Sequence, residues 1–76
     1  MTTISPKARN ILSDMRGGYE GTSTDADGTQ WGSVYLDNFR PKGMSVTSFR
    51  AYLRVLSDAG EYKVYDGENW GWVHLI

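Results

Sequence analysis

The sequence contains no cysteine, so neither a disulfide nor a thiolate metal site can reinforce its core. Absence of thiols fits a reducing compartment. There is one histidine, His74, and no second type of metal ligand clusters with it, so no metal or catalytic role is expected of it. Long apolar runs are missing too. Nothing approaches the ~20 residues of a membrane-spanning helix, and the opening MTTISPKAR lacks the apolar stretch of a signal peptide. A soluble cytoplasmic protein with no membrane partner is the expectation. Neither a nucleophile elbow nor a glycine-rich phosphate loop occurs, so the chain reads as a non-enzyme without a cofactor.

Charge of one sign is missing from whole stretches. The net charge is −1, which argues against a strongly basic nucleic-acid binder taken whole. Its distribution says more. Residues 17–39 carry Glu20, Asp25, Asp27 and Asp37 with no base, and residues 40–56 carry Arg40, Lys42, Arg50 and Arg54 with no acid. Residues 1–16 are net basic through Lys7, Arg9 and Arg16 against Asp14. Residues 57–76 are net acidic, with Asp58, Glu61, Asp66 and Glu68 against Lys63. The chain is a block polyampholyte with one clean positive block.

What is abundant is aromatic: three Trp, five Tyr and two Phe in 76 residues. A single domain spanning 1–76 is expected, and a chain this short buries only about 60% of the surface its unfolded form exposes. Large rings therefore have to supply much of the core, yet ten of them cannot all be interior.

Residues 5–16 read as a helix: Ser5 as N-cap, Pro6 at the first position, and Ala8, Ile11, Leu12 and Met15 on one stripe. Gly17-Gly18 should end it. Residues 19–31 read as loop or hairpin around the turn signal Asp25-Ala26-Asp27-Gly28. Residues 32–39 are ambiguous. Ser33 could cap a short helix, while Trp31, Ser33 and Tyr35 alternating with Val34 and Leu36 would equally make a strand. The helix is the expectation, because a turn at Arg40-Pro41-Lys42-Gly43 and a longer helix then follow in order.

That longer helix, residues 45–59, carries Val46, Phe49, Leu53 and Leu56 on one stripe, with Ser45 as cap and Gly60 as terminator. Its outer face holds Thr47, Ser48, Arg50 and Arg54. Residues 61–76 read as a β-hairpin. Tyr62 and Val64 alternate with Lys63 and Tyr65, and Trp70, Trp72 and His74 alternate with Val73 and Leu75, across a turn at Asp66-Gly67. Gly71 between the tryptophans leaves room for a ring or backbone to approach. Val64, Val73 and Leu75 are expected against Ile11, Leu12, Leu53 and Leu56.

The run Phe49-Arg50-Ala51-Tyr52-Leu53-Arg54-Val55-Leu56-Ser57-Asp58-Ala59-Gly60 resembles the recognition helix of small bacterial or phage repressors of the winged helix-turn-helix superfamily. The resemblance implies an α+β fold, a winged helix-turn-helix of three helices with a C-terminal β-hairpin wing tipped by Asp66-Gly67. It also implies a transcriptional regulator that reads duplex DNA with helix 45–59. Two positions depart from the pattern. Glu61 stands where such families usually place an apolar residue. Asp66 and Glu68 place acids on the wing, where phosphate would repel them.

On that reading Arg50 and Arg54 face base edges, Thr47 and Ser48 contact phosphate or bases, and Arg40 and Lys42 contact phosphate. A solvated helix face and a polar turn explain the same residues. The alternative function is a protein-interaction module of phage or plasmid type. Asp25 and Asp27 would then form an acidic patch for a basic partner, and Trp70 and Trp72 an exposed contact patch. A homodimer, using the first helix or the aromatic hairpin, is left open. A calcium site fails on register: with Gly28 sixth in an EF-hand loop, Val34 falls twelfth, where a bidentate Glu is required.

Overall fold

In the computed structural model, residues 4–65 and 69–75 are described. They form a two-layer α+β domain of the order α1 (Pro6–Gly18), β1 (Gly21–Thr24), β2 (Gln30–Tyr35), a 3₁₀ turn (Leu36–Asn38), α2 (Val46–Asp58), β3 (Tyr62–Val64) and β4 (Trp70–His74). The strands make one antiparallel sheet in the order β1-β2-β4-β3. The α+β class stands. The winged helix-turn-helix does not: two α-helices are present among the described residues instead of three, and the terminal hairpin is half of a four-stranded sheet.

The correction comes from residues 32–39. The expected helix is a strand followed by a single 3₁₀ turn, because period-two alternation outweighs the capping signal of Ser33. Trp31, Ser33 and Tyr35 point one way and Val34 the other. Ser33 caps nothing helical; its Oγ accepts from the Gly21 N–H at 2.9 Å and ties β1 to β2. Once residues 30–35 are a strand, Tyr35 pairs with Trp70 and Trp31 with His74. The terminal hairpin is thereby joined to β2 in one sheet that packs against both helices. The expected wing tip, Asp66-Gly67 with Glu68, lies outside the described residues.

Both helices form where capping and periodicity place them. Ser5 Oγ accepts from Ala8 N–H at 3.3 Å, and Ser45 Oγ accepts from Ser48 N–H at 3.1 Å. Gly60, at φ 79°, ends α2. Its N–H bonds the Ser57 carbonyl at 3.0 Å and the Glu61 N–H bonds the Leu56 carbonyl at 2.9 Å, the two bonds of a Schellman cap. Helix α1 runs on through Gly17 and Gly18. The Phe39 ring lies against Gly18, so close that a Cβ there would stand 3.1 Å from it.

Ala8, Ile11, Leu12 and Met15 of α1 meet Phe49, Leu53 and Leu56 of α2 over Val34, Tyr62 and Val73 of the sheet. Val46, expected in the α2 stripe, is exposed at the first turn. Leu75 packs at the margin of this core, whereas Val64, expected within it, is 70% exposed. Two glycines let rings lie on the helix side of the sheet. A Cβ on Gly71 would stand 2.3 Å from the Tyr62 ring, and one on Gly32 would stand 2.6 Å from that of Tyr19.

The Tyr62 ring is buried while Tyr19 is exposed and able to swing away. Gly71→Ala is therefore expected to cost about 1–3 kcal/mol and Gly32→Ala distinctly less. Urea unfolding of the two variants measures the difference; equal costs would show that Tyr62 is not seated on Gly71.

Candidate functional site

Cross-strand partners share a face of an antiparallel sheet. The helices cover the face that holds Val34, Val73 and Tyr62. On the other face lie Trp31, Ser33 and Tyr35 of β2, Trp70, Trp72 and His74 of β4, Lys63 of β3, and Tyr65 just beyond it. All three tryptophans thus stand on the side that no helix covers. They are not scattered. Tyr65 stacks on Trp72 with ring centroids 4.4 Å apart and planes 4° from parallel. Trp70 meets Tyr35 edge-on at 5.3 Å, and Trp31 lies 5.5 Å from His74. Rings paired in this way hold their orientation without a covering layer.

Two polar clusters hold the platform in place. Asp25 accepts from Trp31 Nε1–H at 2.8 Å and pairs with Lys63 Nζ at 3.3 Å, while the Lys63 ammonium sits 4.4 Å from the Trp31 ring centroid. At the same end of the sheet, across from Trp31, Glu61 binds Arg16 Nη2 at 2.6 Å and His74 Nδ1 at 3.2 Å, and Arg16 Nε donates to the His74 carbonyl at 2.8 Å. Glu61, where a winged helix would want an apolar side chain, is the acid that joins α1 to β4.

Beside Tyr65 and Trp70, whose ring centroids lie 6.2 Å apart, the open face sinks into a depression of about 490 Å³ also lined by Glu20, Gly21 and Ser33. Aromatic walls beside a carboxylate are chemistry that receives a guanidinium or ammonium group. Asp27, by contrast, is spent on its own turn. Its carboxylate accepts from the Thr29 N–H at 2.9 Å, and that backbone bond holds its pKa below the ordinary value. On the covered face, burial raises the pKa of the Tyr62 hydroxyl.

The residues expected to read DNA are divided between two places. Arg50 and Arg54 line a groove of about 390 Å³ between α2 and β3, whose other walls are Leu36, Leu53, Ser57, Tyr62, Val64 and Trp70. Lys42 and Ser48 line a different depression, against Lys7, Asn10 and Asp14 of α1. At 3.6 residues per turn, Ser48 and Arg50 lie about 160° apart around α2, so they do not share a reading face. Arg40 turns back on its own loop, its Nη1 donating to the Met44 carbonyl at 2.8 Å, and Thr47 is exposed.

Of the expected protein-binding residues, the structure brings Trp70, Trp72 and Asp25 together on the open face. Trp31, Tyr35, Tyr65 and Glu20 complete that site and were not singled out from the sequence. The signal for Trp31 and Tyr35 was the alternation of residues 31–35. Among the described residues, no group of three or more His, Asp or Glu could hold a metal ion, and no helix is long and apolar enough to cross a membrane. A scan of protein-family models and searches of curated proteins and of solved structures returned no match.

Removing Asp25 would leave the buried Trp31 indole N–H without its acceptor. Asp25→Ala is expected to cost about 1–3 kcal/mol, and Asp25→Asn, which keeps an acceptor, less. Chemical unfolding measures both. Equal stability of Asp25→Ala and the native chain would show that Asp25 does not hold the platform.

Proposed function

We propose that the chain is a protein-interaction module whose open sheet face docks a basic surface of a partner protein. The observation that carries this reading is the ring-walled depression bearing Glu20, set in an uncovered aromatic face. Charge supports it. The acid-only block of residues 17–39 lies mainly on β1, β2 and their turn, so the sheet layer is acidic while α1, α2 and the loop before α2 hold most of the bases. An arginine or lysine entering the depression beside Tyr65 and Trp70 would meet two rings and a carboxylate. The fold already uses that pairing once, with Lys63 held by Asp25 over Trp31. Acids on this side repel phosphate, so nucleic acid is the poorer occupant of this face.

A second reading, duplex DNA bound along α2, is favoured by one feature: Arg40, Lys42, Arg50 and Arg54 with no acid among residues 40–56. It needs no winged-helix scaffold, and counterion release from those side chains would drive it.

Site-specific photocrosslinking in the cell that makes the protein separates the two. A benzoylphenylalanine replacing Trp72 is expected to capture a protein through an arginine- or lysine-containing peptide. Trp70→Ala or Glu20→Lys should lower the yield about tenfold or more, a loss of roughly 1.4 kcal/mol or greater, with unchanged circular dichroism. Undiminished capture in both variants would overturn the reading. Salt-sensitive binding of duplex DNA, weakened by Lys42→Ala and indifferent to Trp70→Ala, would put the DNA reading in its place.

A further inference from the structure

The groove between α2 and β3 lies on the helix side of the sheet and has the opposite chemistry to the open face. Its floor is apolar, made by Leu36, Leu53, Tyr62, Val64 and Trp70, and its α2 wall carries Arg50 and Arg54. Both arginines belong to the acid-free block of residues 40–56. Arg50 also takes part in an interaction within the fold, so Arg54 carries most of the weight here. Beside the groove runs β3, which among the described residues is an edge strand paired with β4 alone.

The ladder shows which way the β3 backbone points. The His74 N–H bonds the Glu61 carbonyl at 2.9 Å, and Glu61 and His74 lie one step beyond the Tyr62–Val73 pair. In an antiparallel ladder hydrogen-bonded pairs alternate with non-bonded ones. Lys63 and Trp72 are then the next bonded pair, and Tyr62 and Val64 direct their N–H and C=O groups away from β4, along the open edge. The same two residues turn their side chains into the groove. A strand laid against β3 would therefore find backbone partners at Tyr62 and Val64, and its alternate side chains would fall onto the apolar floor beneath Arg54.

We infer that this groove and edge form a second binding site, which takes an extended segment of a partner protein that alternates acidic with large apolar residues. The apolar side chains enter the groove and the carboxylates meet the arginine wall. The segment becomes a fifth strand, continuing the order β1-β2-β4-β3. The site stands independently of the open face, with which it shares only Trp70. A chain with both sites would hold a basic surface on one side of its sheet and an acidic segment along its edge.

The probe is a synthetic peptide of about eight residues alternating glutamate with phenylalanine or valine, titrated into the isotope-labelled full chain and followed by amide NMR. The expected result is saturable shifts at Tyr62, Val64 and Leu53, with slowed exchange of the Val64 amide. Arg54→Glu should weaken binding about tenfold or more, and Arg54→Lys much less. Val64→Pro removes only an outward N–H and keeps the β3–β4 ladder, so that variant should fold normally and bind at least tenfold more weakly (about 1.4 kcal/mol). A peptide with lysine in place of glutamate should not shift these amides. No shift at Val64 in millimolar peptide overturns the inference, as does equal binding by Arg54→Glu. Shifts confined to Glu20, Tyr65 and Trp72 also overturn it, placing the peptide on the open face. Failure of the open-face reading leaves all of these signals in place.

Discussion

Where β2 pairs with β4, Val34 lies opposite Gly71 and Gly32 opposite Val73, so each pair on the helix side joins a branched side chain to none. That combination makes the covered face uneven: Val34 and Val73 rise into the core, and the two glycines leave seats that rings occupy. Tyr62 on Gly71 brings β3 and the C-terminal end of α2 into the same core. The alternation that puts small residues inward puts Trp31, Tyr35, Trp70 and Trp72 outward. Packing of the core and placement of the rings on the open side are thus two results of one register, because a slip by one residue would exchange every inward side chain with an outward one.

The platform and the core are held by different forces. The core is apolar burial between α1, α2 and the sheet. The open face is held by ring stacking and by the two polar clusters around Asp25 and Glu61, which meet at the Trp31–His74 end of the sheet. The Glu61 cluster links the layers, since Arg16 reaches from α1 both to the Glu61 carboxylate and to the carbonyl of His74. Trp31, with Lys63 over its ring, is buried by these contacts, while Trp70 and Trp72 stay half-buried.

Much of this was legible in the sequence. Ser5 and Ser45 as caps, Gly60 as terminator, the stripe of α1 and, Val46 apart, that of α2 act as their positions suggest, because capping and helical periodicity are local. Residues 62–65 and 70–75 alternate in the sequence as they do in the sheet. The error lay at residues 32–39, where a serine cap and a strand alternation competed. Only the β2–β4 pairing decides between them, and a pairing across some forty residues leaves no local mark. The resemblance of residues 49–60 to a recognition helix rested on its paired leucines and terminal Ala59-Gly60, features that a helix packed on a sheet and ended by a glycine cap also carries. Arg50 and Arg54 were legible as a cationic face. That their neighbour would be the apolar flank of β3 depended on the same unread topology.

Adjacent residues of β4 offer the most direct measurement, since Trp72 and Val73 point to opposite faces. A lysine at Trp72 would extend into solvent on the open face, whereas one at Val73 would place a charge in the core at a cost of several kcal/mol. The expected result is that Trp72→Lys remains folded and unfolds cooperatively in urea, while Val73→Lys is unfolded in its absence. A Trp72→Lys chain that fails to fold, or a Val73→Lys chain that folds normally, would contradict the placement of the aromatic rows on an uncovered face.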